Sequence, residues 1–123
     1  MDGKYLAGKQ KFWEELQTLV HGTSALAAQG RFIFPEFLHV RVLGWIKGNA
    51  GAAGNCVATL EGKLYDRWAV IGTLTVAANG TNEVTGQGLY DIRGFEELRA
   101  SAIYTDAPGK QVSADFAIGI SYE

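Results

Sequence analysis

Between Asn55 and Ala77 the chain reads NCVATLEGKLYDRWAVIGTLTVA, and side-chain polarity there changes with a period of two. Cys56, Ala58, Leu60, Gly62 and Leu64 fall on one side, and Val57, Thr59, Glu61 and Lys63 on the other. A pleated strand satisfies that spacing and a helix does not, because successive side chains of a strand point to opposite faces. After a polar break at Asp66-Arg67, the residues Trp68, Val70, Leu74 and Val76 repeat the pattern. The break has hairpin length but lacks the glycine that a two-residue primed turn favours. A hairpin with Trp68 buried is expected here, serving as scaffold, with the rest of the chain wrapped around it.

Other runs carry the same period. Phe37 to Lys47 sets Leu38, Val40, Val42 and Ile46 against a mixed face of His39, Arg41, Leu43, Trp45 and Lys47. Leu43 and Trp45 on that second face either lie under another element or form a contact surface. Glu83 to Leu89 reads as a short strand interrupted by Gly86 and Gly88, with YDIRG as a connection after it. A strand is also expected from about Glu97, with Leu98, Ala100, Ala102 and Tyr104 inward, although several residues there favour helix. The run QVSADFAIGISY alternates most strictly, with Val112, Ala114, Phe116, Ile118, Ile120 and Tyr122 inward and Gln111, Ser113, Asp115 and Ser121 outward. Asn79-Gly80 and Pro108-Gly109 supply turns, and the small-residue run Gly48 to Gly54 a loop at the tip of the fold. The fold class is all-β: an antiparallel β-sandwich, jelly-roll or immunoglobulin-like, of about seven to eight strands.

Residues 1–29 stand apart, and the domain reading is an N-terminal arm with a short amphipathic segment over 1–29 and the sandwich over 30–123. Phe12, Leu16, Leu19 and Val20 have helical spacing and Gly22 follows as a cap, so a short helix is expected over Phe12 to His21. The set Phe12, Glu14, Leu16, Thr18 and Val20 equally reads as strand alternation.

A chain of 123 residues supports one domain with a real core. Its formal net charge of -2 provides no basic face for nucleic acid or anionic lipid. The start of the sequence lacks the apolar core of a signal peptide, and no apolar run is long enough to cross a bilayer as a helix. The single cysteine, Cys56, sits among inward residues and reads as an inert core thiol.

No constellation points to an enzyme. His21 and His39 lie on different elements without metal spacing, and the adjacent pairs Glu14-Glu15 and Glu96-Glu97 point to opposite sides of any strand. No catalytic residue, cofactor or metal is expected. The aromatic residues carry a weaker signal of another kind: aromatics commonly fill sandwich cores, and they are also enriched at interfaces and on sugar-stacking platforms. Tyr5, Leu6, Phe12, Trp13 and Trp45 are the partner-binding candidates.

From Phe37 to Tyr122 the order of features resembles the small β-sandwich virion proteins of tailed bacteriophages, in particular head decoration (cement) proteins. The similar elements are ATLEGKLYDRWAVIGTLTV, then FEELRASAIY, then a Pro-Gly turn and the closing QVSADFAIGISY. The resemblance implies a structural protein that binds the outside of a capsid and stabilises it, commonly as a trimer, with capsid protein and sister copies as partners. It implies assembly in the host cytoplasm and residence in the virion. A phage tail or neck protein and a carbohydrate-binding β-sandwich module, with Trp45 and tyrosines stacking on sugar rings, are the alternatives. A small enzyme comes third, since it needs a pocket where a histidine meets a carboxylate.

Overall fold

A computed structural model describes residues 9–13, 15–22, 24–26 and 39–121. Among them are nine strands: β1 (Lys9–Lys11), β2 (Gln17–Val20), β3 (Ser24–Leu26), β4 (His39–Gly48), β5 (Asn55–Leu64), β6 (Arg67–Ala77), β7 (Glu83–Asp91), β8 (Glu97–Thr105) and β9 (Gln111–Ser121). A five-stranded sheet runs β1-β9-β4-β7, with β2 also paired to β9, and a four-stranded sheet runs β3-β8-β5-β6. Every pairing is antiparallel, so the chain is the expected all-β sandwich.

The two inner faces supply the core, as the alternation requires. Val40, Val42 and Ile46 of β4 and Val112, Ala114, Phe116 and Ile118 of β9 meet Cys56, Ala58 and Leu60 of β5 and Leu98, Ala100, Ala102 and Tyr104 of β8. Phe116 is fully buried, and a β-carbon at Gly44, its cross-strand partner, would collide with its ring. That glycine therefore makes room for an aromatic ring inside an otherwise bulky strand. Phe12 stacks on Phe116 with ring centroids 5.7 Å apart, and Trp13 meets the same ring edge-on at 6.0 Å.

The helix expected over Phe12 to His21 is absent among the described residues. Gln17–Val20 is strand β2, paired along the edge of β9, and only Leu19 of that strand is buried. The helical spacing of Leu16, Leu19 and Val20 misled because Leu16 and Val20 are exposed. The segment set apart as an arm contributes β1 and β2 to one sheet and β3 to the other.

Two further corrections concern the hairpin. Its turn is Tyr65-Asp66, one residue earlier than expected, and both residues have positive φ, 52° and 63°. This is the primed geometry that matches strand twist, reached without glycine. A left-handed non-glycine residue costs about 1–2 kcal/mol. Trp68 is not in the core. The pairing of β5 with β6 shifts between Leu60, opposite Gly72, and Glu61, opposite Val70, so one extra residue of β6 forms a bulge. Leu74 and Val76 stay inside, whereas Val70 is exposed and Trp68 half-buried on the outer face. There the Arg99 guanidinium sits 4.2 Å from the centre of the Trp68 ring and its Nε donates to Glu61 Oε1 at 2.7 Å. Strand β7 continues through Tyr90 to Asp91 rather than ending at Leu89. The Tyr90 hydroxyl donates to the Thr73 carbonyl at 2.7 Å, tying β7 to β6 across the open side of the sandwich.

Phe116→Ala is expected to lower stability by about 3–5 kcal/mol through cavity formation. Trp68→Ala should lower it by about 1 kcal/mol, the scale of an exposed cation–π contact and partial burial. Denaturant midpoints of the two variants measure the difference, and equal losses would contradict the outer placement of Trp68.

Candidate binding surface

The outer face of the five-stranded sheet is built from the second register of β4, β7 and β9. Arg41 lies opposite Leu89 on β7 and Gly119 on β9, and Leu43 opposite Gln87 and Ala117. Because Ala117 and Gly119 carry almost no side chain, the sheet surface is depressed between Leu43, Arg41 and β9, leaving a hollow of about 240 Å³. Among the described residues that line it, Arg41 is the charged one, and its Nη1 donates to Gln87 Oε1 at 2.7 Å. That bond fixes a long cationic side chain across the sheet, so the guanidinium is already oriented for an anion. Leu43 and Leu89 are 42% and 56% exposed, and Trp45 is half-buried opposite Thr85 and Asp115. Asp115 itself is buried although its register faces outward.

The sequence candidates are dispersed. Tyr5 and Leu6 lie outside the described residues. Phe12 and Trp13 are only 3% and 8% exposed and belong to the core around Phe116, so neither is presented to a partner by the folded chain. Trp45 alone of the described candidates lies on an outer face, beside Leu43 as the mixed pattern of β4 requires. Arg41, Gln87, Leu89, Ala117 and Gly119 were missed. A signal existed for the last two: Ala-x-Gly falls on the outward register of β9, where small residues leave a trough.

At one end of the sandwich, Asp106 organises the loops. Its Oδ2 accepts the backbone N–H groups of Ala53 at 2.8 Å and Gly54 at 3.0 Å and the hydroxyl of Tyr104, while Oδ1 accepts the N–H of Ala107. Thus the small-residue loop does hold an anion, but one supplied by the chain itself. These donors, led by the Ala53 N–H, then Tyr104 and Ala107, hold the Asp106 carboxyl well below the usual carboxylate range. Burial, followed by the negative charge and hydrogen bond of Asp106, pushes the Tyr104 phenol up to about 12. The Asp106 N–H donates to His21 Nδ1 at 3.0 Å, and the N–H groups of His21 and Gly22 donate to the carbonyls of Lys110 and Tyr104. His21 is thereby a structural clamp between β2 and the β8–β9 loop. Burial pushes the Cys56 thiol up to about 12, which fits an inert core cysteine. Among the described residues, no three His, Cys, Asp or Glu side chains converge as a metal-binding group, and no helix is long and apolar enough to cross a membrane.

No protein-family model matches the chain, and no curated protein matches it. Among solved structures it is similar to a chain described as Family 16 Carbohydrate Binding Module-2, at a TM-score of 0.52 and 16% identity, over 80% of this chain and 70% of that one. This likeness establishes the β-sandwich fold. A chain from the structure of infectious bursal disease virus, Gx strain, aligns over 94% of this chain but spans 30% of its own length, at 11% identity and a TM-score of 0.43, too loose to establish shared topology.

The Asp106 network has a defined pH signature. A carboxylate depressed by folding stabilises the fold above its unfolded value, near about 3.9, and that contribution is lost as pH falls through the lower folded value. Asp106→Asn is therefore expected to lower the denaturant midpoint at pH 7, with the difference from the parent chain shrinking as pH drops below about 4. A difference that stays constant down to pH 2 would show that the carboxylate charge is not what the loop N–H groups hold.

Proposed function

We propose that this chain is a non-catalytic structural protein that coats the outside of a bacteriophage capsid, self-associating there, with the outer face of the five-stranded sheet buried in the assembled coat. The observation that carries this reading is the pairing of exposed Leu43 and Leu89 with an apolar trough on one sheet face, beside half-buried Trp45. Exposed apolar side chains gathered on one sheet face mark protein contact sites. The resemblance of residues 37–122 to phage decoration proteins supports the same class of partner. The rigid sandwich also suits a coat subunit, because partners that change little on binding lose little ordering entropy.

A second reading, a carbohydrate-binding module, is favoured by the likeness in fold to a protein of that description and by the hydrogen-bonded Arg41–Gln87 pair on the same sheet face as Trp45. Sugar recognition combines an aromatic platform with such hydrogen-bonding groups. The two readings separate experimentally. A Leu43→Asp/Leu89→Asp variant that keeps its melting temperature is expected to lose about 30-fold or more in retention on phage shells, the scale of about 2 kcal/mol for interface anchors. Unchanged shell retention would overturn the coat reading, and glycan retention abolished by Trp45→Ala would establish the alternative.

A further inference from the structure

The tip of the β5–β6 hairpin is unlike the rest of the surface. Tyr65 is the most exposed large apolar residue described, at 83%, and Leu64 beside it is also exposed. Tyr65 adopts φ 52° and Asp66 φ 63°, a region where Gly, Asn and Asp are favoured and an aromatic residue is strained. The Tyr65 ring makes no hydrogen bond or ring contact with the described residues, although a small residue would suit the turn better. The Asp66 side chain is 98% exposed and makes only a long ion pair, 3.8 Å, with Lys63, which also reaches Glu97 at 3.4 Å. The tip thus projects one ring and one carboxylate on a rigid two-stranded stalk.

The trough on the five-stranded sheet has the complementary form: its described lining is concave and apolar over Ala117 and Gly119, walled by Leu43, with the oriented guanidinium of Arg41 at its rim. We propose that the occupant of this trough is the hairpin tip of a second copy of the chain: Tyr65 lies on the Ala117–Gly119 floor against Leu43, and Asp66 pairs with Arg41. The trough opens on the five-stranded sheet and the tip belongs to the four-stranded sheet, so a rigid hairpin cannot fill the trough of its own chain. The contact is therefore heterologous, with different surfaces on the two copies, and propagates into a closed ring or an open array. This rests on the coat reading above and names the partner of the same face.

Sedimentation of the full chain over a concentration series tests the pairing. Tyr65→Asn relieves the turn, since Asn tolerates positive φ, so the monomer should melt no lower than the parent while self-association weakens at least about 10-fold. Asp66→Arg and Arg41→Glu should each weaken association by a similar factor, and the double variant should restore it, which a merely structural role for either residue would not produce. The proposal is overturned if the parent chain is monomeric throughout, if Tyr65→Asn associates like the parent, or if the double variant is no better than the single ones. A monomeric parent that still binds phage shells in a manner abolished by Leu43→Asp/Leu89→Asp would sink this pairing while leaving the coat reading intact.

Discussion

The stack of Phe12, Trp13 and Phe116 over the open surface of Gly44 is the contact on which the sandwich depends. Phe116 stands in the middle of β9, which carries β4 on one side and both β1 and β2 on the other. By closing on its ring, Phe12 and Trp13 tie the chain between β1 and β2 to the core, and the Phe12 N–H donates to the Phe116 carbonyl at 2.7 Å. Without that anchor, β1 and β2 are strands of three and four residues, too short to hold an edge by backbone pairing alone. With it, β1 and β2 are held on the edge of β9.

A second constraint acts through the backbone. The single-residue shift between Leu60 and Glu61 turns the first half of β6 over, because side chains alternate with a period of two and one inserted residue exchanges the faces. Trp68 is thereby moved from the core to a surface row with Lys63, Glu61 and Arg99, where its ring covers aliphatic and cationic groups instead of filling volume. The inner space it leaves is closed by Phe95, whose ring lies over Gly62, and by Tyr90, whose ring lies over Gly72.

The same geometry divides scaffold from surface. Inner residues of β4 and β9 are committed to packing, so their outer register is left to carry Arg41, Leu43, Ala117 and Gly119 as a recessed face. At the far end of the four-stranded sheet the turn projects Tyr65 into solvent. Recess and projection on a rigid body are the features that the proposed coat role and the proposed tip-to-trough contact draw on.

The fold class is legible in the residues alone, because alternation over Asn55–Leu64, Glu97–Thr105 and Gln111–Ser121 admits little other than strands with one buried face. The residues alone also place Tyr104, Phe116 and Ile118 inside and leave Trp45 beside Leu43 on a mixed face. The placement of Phe12 and Trp13 is not legible there, since their burial depends on a ring more than a hundred residues away along the chain. Likewise the strand character of Gln17–Val20 comes from the free edge of β9, which no local propensity encodes. The trough was hidden because it is defined by the near absence of side chains on one strand beside bulk on the next, a relation set by register across strands rather than by spacing along one. Local periodicity reports which face a residue takes as long as the strand is regular. Bulges, edges and neighbouring strands are long-range facts, and they decided where this chain presents its surface.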